Sequence, residues 1–92
     1  MWFVTLAKMR GSIDAEFNKQ TEQFMANPPA GIKIHHVFHT LGQYDVLILY
    51  EAPNEKAALM AGMMFAGKAQ TETLVAVPLE EAKELIKKSM KK

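Results

Sequence analysis

Hydrophobic side chains alternate with polar or smaller ones in several short segments of the chain, and this alternation predicts β-strands. Each segment is rich in β-branched and aromatic residues, and together they span residues 2–9, 32–41, 44–51 and 70–77. Residues 42–43 separate the second segment from the third, which is the length of a tight hairpin turn in which Gly42 supplies a positive φ. We therefore expect the second and third strands to be neighbours in one sheet.

Segments with helical periodicity lie between and after these strands. The first follows Ser12, a good N-cap, and ends at the prolines of residues 28–29, because two prolines cannot continue a helix. Asn54 caps the second helix, which is expected to run to Gly67, and Pro78 opens the last one. The order is β-α-β-β-α-β plus one extra C-terminal helix, which predicts an α+β, ferredoxin-like sandwich. With 92 residues, we expect a single domain over residues 1–92.

The expected hairpin divides its two strands into two faces, and both faces are largely apolar. Counting outward from a two-residue turn, one face carries His35, Val37, His39, Leu41, Tyr44, Val46, Ile48 and Tyr50. The opposite face carries Ile34, His36, Phe38, Thr40, Asp45, Leu47 and Leu49. Helices can cover one apolar face, and the simplest cover for the other is a second copy of the chain. We expect a homodimer packed sheet to sheet, to which the last helix could contribute by crossing over.

Composition and charge change this picture mainly by exclusion. The chain has no cysteine, which excludes disulfides, cysteine zinc sites, iron–sulfur clusters and cysteine nucleophiles. The net charge is +1, and five of the 11 basic residues lie in residues 83–92, at the end of the last predicted helix. Lysines there oppose the negative end of the helix dipole, so we interpret them as a solvated helix end and expect no nucleic-acid partner.

Two features bear on location. The longest uncharged apolar stretch with helical character, residues 57–67, is shorter than the ~20 residues that a membrane span needs. Met1 is followed directly by a predicted strand, without a basic leader. We expect a cytoplasmic protein with no membrane partner.

The second strand contains all three histidines, which raises the question of a metal site. His35 and His39 share a predicted face but are four residues apart, or about 13 Å along a strand, and His36 faces the other way. Metal ligands must converge to ~2 Å from the ion. We expect no metal and no cofactor in one chain, while a site formed by histidines of two chains stays open.

Asp45 is unusual because it lies between Tyr44 and an apolar strand, where aspartate is disfavoured. In one interpretation the hydroxyl of Thr40 donates to its carboxylate and the pair stabilises the hairpin end. In the other, Asp45 lies at the mouth of a pocket, where it binds an amine or acts as a base. Our candidate ligand-binding site is His39, Tyr44 and Asp45, with His36 as an additional member.

Small residues form a stripe along the second helix. Ala58, Gly62 and Ala66 recur at i, i+4 and i+8, and Gly62 costs ~1 kcal/mol relative to alanine within a helix. Two interpretations stay open. The stripe either packs tightly on the sheet or forms the floor of a pocket or an oligomer contact.

The stretch from Leu41 to Asp45 resembles the core of the GYD-domain family, with the Gly-x-Tyr-Asp pattern present as Gly42, Tyr44 and Asp45. The resemblance continues over residues 46–57 and returns at residues 71–74. It implies a ferredoxin-like fold of the dimeric α/β-barrel type, in a family largely without assigned function. The same stretch is similar to the effector-binding domain of Lrp/AsnC-type regulators, where a Gly-x-x-Asp hairpin lies at subunit contacts that bind amino acids.

These patterns favour an oligomeric protein that binds a small molecule at a sheet face or a subunit interface. The alternative is a cofactor-free enzyme, similar to a monooxygenase or an isomerase, that acts in the barrel cavity with His39 or Asp45 as acid or base. A purely structural module is the third possibility. The sequence leaves open whether the protein is an enzyme.

Overall fold

A computed structural model describes residues 1–11, 15–29, 31–64 and 67–90 of the chain. Within these residues the structure has four strands and three helices in the predicted order. The elements are β1 (Trp2–Met9), α1 (Ala15–Ala26), β2 (Lys33–His39), β3 (Val46–Glu51), α2 (Glu55–Met63), β4 (Ala69–Ala76) and α3 (Leu79–Met90).

The strands form one antiparallel sheet in the order β2-β3-β1-β4, with β1 in the centre between β3 and β4. Alternate residues of the central strands are buried, and the two helices α1 and α2 pack on that face. The buried core comprises Phe3, Ala7, Phe17, Phe24, Ile32, Val46, Ile48, Tyr50, Ala52, Ala58, Ala61 and Ala69. The predicted α+β, ferredoxin-like fold with an extra C-terminal helix is confirmed.

The connection between β2 and β3 is wider than the predicted two-residue turn. The strands end at His39 and resume at Val46, and the amide of Thr40 donates to the carbonyl of Asp45 over 2.8 Å. The hydroxyl of Thr40 donates to the carbonyl oxygen of Tyr44 over 2.7 Å. Gly42 has a φ of 114° within this turn, as expected for the residue that lets the chain reverse.

A β-bulge corrects the predicted register of β2. The pairs of His39 with Val46 and of Val37 with Ile48 form as predicted, but Tyr50 then lies opposite Ile34 and not His35. The shift has a physical advantage, because it packs an isoleucine against the core in place of an imidazole.

The same bulge moves the ring of His35 to the opposite face of the sheet, where it stacks on Trp2 with the ring centroids 4.5 Å apart. The prediction that His35 and His39 share a face is therefore wrong.

The helix ends follow the sequence in part. The amide of Ala57 donates to the Oδ1 atom of Asn54 over 2.9 Å, which confirms the predicted N-cap of α2. This helix ends at Met63, before the predicted stop at Gly67. The predicted cap at Ser12 and the third small residue, Ala66, lie outside the described residues.

The face of the sheet opposite α1 and α2 is open and apolar. Phe38 and Leu74 are 53% and 44% exposed there, and they flank the partly buried side chains Val4, Leu6, Leu47 and Leu49. We call this surface the open face. α3 is also exposed along its apolar stripe, which includes Leu79, Leu85 and Ile86. In the described part of the chain, no helix has both the length and the apolar character needed to cross a membrane.

Candidate functional site

The four residues of the predicted binding site lie in separate places. Tyr44 and Asp45 belong to the turn between β2 and β3, whereas His39 ends β2 on the helix-covered side and is exposed. His36 is exposed on the open face, where its ring stacks on Phe38 with centroids 5.5 Å apart. Tyr44 and Asp45 are neighbours in the turn, but their side chains bond to different strands, and no hydrogen bond joins either histidine to them among the described residues. A ligand-binding role for these residues stays a prediction.

Asp45 has a structural partner at the end of β1. Its Oδ2 atom accepts a hydrogen bond from the backbone amide of Met9 over 2.7 Å, and its own amide donates to the carbonyl of Ala7 over 2.8 Å. The carboxylate therefore ties the β2–β3 turn to the central strand. One of the two interpretations of Asp45 had the hydroxyl of Thr40 donating to this carboxylate, and that bond does not form, because the hydroxyl donates to the carbonyl oxygen of Tyr44.

Tyr44 reaches across to β4. Its hydroxyl donates to the Oε2 atom of Glu72 over 2.5 Å. This hydrogen bond raises the pKa of Tyr44 above its ordinary value, and partial desolvation and the negative charge of Glu72 act in the same direction. The pair lines a polar hollow together with Lys8, Gln43 and Gln70.

His35 is the histidine with the most confined environment. Its Nε2 atom lies 3.8 Å from a carboxylate oxygen of Glu51, too far for a hydrogen bond, and is buried without a partner among the described residues. Within that part of the chain, no three side chains of the histidine, aspartate and glutamate types are grouped so that they could hold a metal ion.

A cleft larger than the polar hollow beside Tyr44 lies on the other side of the sheet, between α2 and the edge strand β4. It has a volume of about 480 Å³, and we call it the α2–β4 groove. Its walls are mainly apolar and its floor carries hydroxyl groups. The lining residues are Phe3, Glu55, Ala58, Leu59, Gly62, Met63, Thr71, Thr73 and Val75.

The floor of the groove continues into the core as a chain of three hydroxyl groups. Tyr50 is 2% exposed and its hydroxyl lies 2.9 Å from the Oγ1 atom of Thr5. Thr5, which is 3% exposed, lies in turn 2.9 Å from the Oγ1 atom of Thr73 in the groove. Strand pairing creates this chain, since Thr5 lies directly opposite Thr73 in the sheet.

Gly62 lies over the hydroxyls of Thr71 and Thr73, and its lack of a side chain leaves space above them. A Cβ atom at Gly62 would lie 3.7 Å from the Oγ1 atom of Thr73 and 3.8 Å from that of Thr71, which is ordinary van der Waals contact. Ala58 and Gly62 are both buried against the sheet. Ala58 and Gly62, the two described members of the small-residue stripe, thus pack on the sheet and also line the groove.

The three hydroxyl-bearing residues were missed by the sequence analysis. Thr5 was visible as a polar residue in the buried register of β1, between Phe3 and Ala7. That signal alone does not identify its partners, because Tyr50 and Thr73 are 45 and 68 residues away along the chain.

Comparison with known protein families gives a match over most of the chain. A family model described as GYD domain matches residues 5–86, which include all four strands in whole or in large part. No curated protein and no solved structure matches the chain significantly.

Proposed function

The chain belongs to the GYD-domain family, and from this premise we propose that it is a homodimeric protein that binds a small, mainly apolar molecule in the α2–β4 groove. The observation that carries the proposal is the chain of hydroxyls from Tyr50 through Thr5 to Thr73, which ends in an otherwise apolar cleft. Small-molecule sites typically combine apolar walls with a few polar groups that orient the ligand.

Exposure of the groove walls supports a bound partner molecule. Leu59, Met63 and Val75 are 63%, 64% and 58% exposed, so three large apolar side chains border a groove whose floor is polar. A ligand that covers them gains about 25 cal/mol per Å² of apolar surface removed from water. Methionine adapts its shape easily, which suits a wall that closes around a ligand.

The open face supports the homodimer. Its apolar side chains come from all four strands, while α1 and α2 are both engaged on the opposite face. A second copy related by twofold symmetry would present the same apolar surface, and the pairing would bury both at once. Because the groove lies on the helix-covered side, a dimer formed through the open face leaves it accessible.

The test of the groove is a binding experiment that separates blocking from unfolding. Naphthalene derivatives would be titrated into ¹⁵N-labelled protein, and amide shifts would be recorded by NMR. We expect the largest shifts at residues of α2 and β4. In the variant Gly62→Ala, the added methyl group covers Thr71 and Thr73, so affinity should fall.

The same variant should be more stable, because alanine is favoured over glycine in a helix by ~1 kcal/mol and the new methyl meets no clash. Loss of affinity together with a raised melting temperature therefore cannot be caused by unfolding. Shifts that avoid α2 and β4, or equal affinity of Gly62→Ala and the unmodified protein, would contradict the proposed site.

A further inference from the structure

The hydrogen atoms of the hydroxyl chain can be assigned a direction. A hydroxyl has one hydrogen to donate and can accept from others. Among the described residues, Thr5 is the hydrogen-bond partner of the Tyr50 hydroxyl, and Tyr50 is 2% exposed. If Tyr50 accepted from Thr5, its own hydrogen would be buried without an acceptor, which is the costly arrangement. Tyr50 therefore donates to Thr5.

The direction then propagates outward. The Oγ1 atom of Thr5 accepts from Tyr50 and uses its one hydrogen to donate to Thr73. Thr73 accepts from Thr5, and no described residue accepts the hydrogen of its own hydroxyl. Since Thr73 is exposed and lines the groove, it presents a donor to whatever occupies the groove. Each bond in such a chain polarises the next, which strengthens the terminal donor.

The charge of the groove lining also restricts which ligands can bind. Among the described lining residues, Glu55 is the charged one, and its carboxylate disfavours an anion in the groove. We propose that the ligand is a neutral molecule with an apolar body and a carbonyl-type oxygen, which accepts the hydrogen bond of Thr73. This inference rests on the proposed binding site in the groove. Thr73 then determines specificity for the acceptor, while the walls of the groove supply affinity.

Three probes of similar shape test this assignment: 2-acetylnaphthalene, 2-ethylnaphthalene and 2-naphthoate. The ketone carries a neutral acceptor, the ethyl compound carries none, and the carboxylate is an anionic acceptor. We expect the ketone to bind about three- to tenfold more tightly than the ethyl compound, the range of one neutral hydrogen bond. The naphthoate should bind less tightly than the ketone, and Glu55→Gln should reduce that difference.

Threonine variants separate the effect of the Thr73 hydroxyl from the effect of the shape of the groove. Thr73→Val should abolish the preference for the ketone, and Thr73→Ser should retain it. The matched control is Thr21→Val, which removes a hydroxyl from α1, outside the lining of the groove, and should leave the preference intact. The carbonyl stretching frequency of the bound ketone gives a second readout. It should be lower in the unmodified protein than in Thr73→Val.

The outcomes distinguish this inference from the proposed function. Equal binding of ketone and ethyl compound in the unmodified protein, or a preference that survives Thr73→Val, would overturn the donor assignment while the groove remains a binding site. Failure of all three probes to shift α2 and β4 amides would overturn the groove itself, and the donor assignment with it.

Discussion

A double-mutant cycle at Thr5 and Tyr50 measures how much the buried hydroxyl chain contributes to folding. Thr5→Val replaces the middle hydroxyl by a methyl group of similar size and leaves the Tyr50 hydroxyl buried without its partner. We expect the free energy of unfolding to fall by about 1–3 kcal/mol, the cost of an unsatisfied buried polar group. Thr73 lies in the groove, so water can replace the bond that it loses.

Tyr50→Phe should cost less, about 0.5–1.5 kcal/mol, because Thr5 keeps its bond to Thr73 and no buried hydroxyl is left without any partner. The ring contact with Phe3 is retained in this variant, since only the hydroxyl is removed. The double variant removes both hydroxyls of the buried pair, so it should be about 1 kcal/mol more stable than the sum of the single effects predicts.

Urea and thermal denaturation at one fixed protomer concentration measure these values, since the stability of the proposed homodimer depends on concentration. For a domain of this size, 1 kcal/mol shifts the melting temperature by about 4–8 °C, which is readily resolved. Thr71→Val, outside the hydroxyl chain, is the matched control and should stay within about 0.5 kcal/mol of the unmodified protein. Single effects that add to within about 0.3–0.5 kcal/mol would refute the hydroxyl chain as a coupled unit.

Three further predictions concern the open face and the β2–β3 turn. Leu49→Lys on the open face should dissociate the proposed homodimer, as measured by sedimentation, whereas a lysine added on the exposed side of α1 should not. A monomeric unmodified protein would contradict the proposed interface. Glu72→Gln should lower the pKa of Tyr44 towards its ordinary value of 10.0, as followed by NMR of ¹³C-labelled tyrosine, and an unchanged pKa would contradict the assigned cause. Because folding raises this pKa, the bond contributes to stability below pH 10.0, and the contribution is lost as pH rises through the raised pKa. Asp45→Ala should destabilise the fold by about 1–3 kcal/mol and speed hydrogen exchange at the amide of Met9. Asp45→Asn keeps an acceptor oxygen and should cost less. Unchanged exchange in the alanine variant would show that the carboxylate does not hold the Met9 amide.

Local patterns in the sequence predicted most of the fold. The bounds of β1 are those that its alternation indicates, and Asn54 caps α2 as its side-chain chemistry requires. Pro78 precedes the first residue of α3, where its fixed φ suits a helix start. Each of these features depends on residues a few positions apart, and here the local preferences agree with the fold as a whole.

The candidate site was also predictable only in part. Gly62 stood out in the sequence because glycine is costly within a helix, and the structure places it over the hydroxyls of Thr71 and Thr73. Asp45 stood out because it is disfavoured next to a strand, yet its partner, the amide of Met9, comes from β1. The sequence therefore identified residues under an unusual constraint, but the groups that impose the constraint come from other elements.

Tertiary structure alone decided the faces of β2 and the hydroxyl chain. Because side chains alternate along a strand, one extra residue at the bulge moves every residue beyond it to the other face. That choice depends on whether Ile34 or His35 lies opposite Tyr50, a residue of a different strand. The hydroxyl chain likewise exists only because β1 lies between β3 and β4, which brings Thr5 within 2.9 Å of both its partners. The local sequence around each residue contains no information on such pairings, since they are selected by the packing of the whole sheet against its helices.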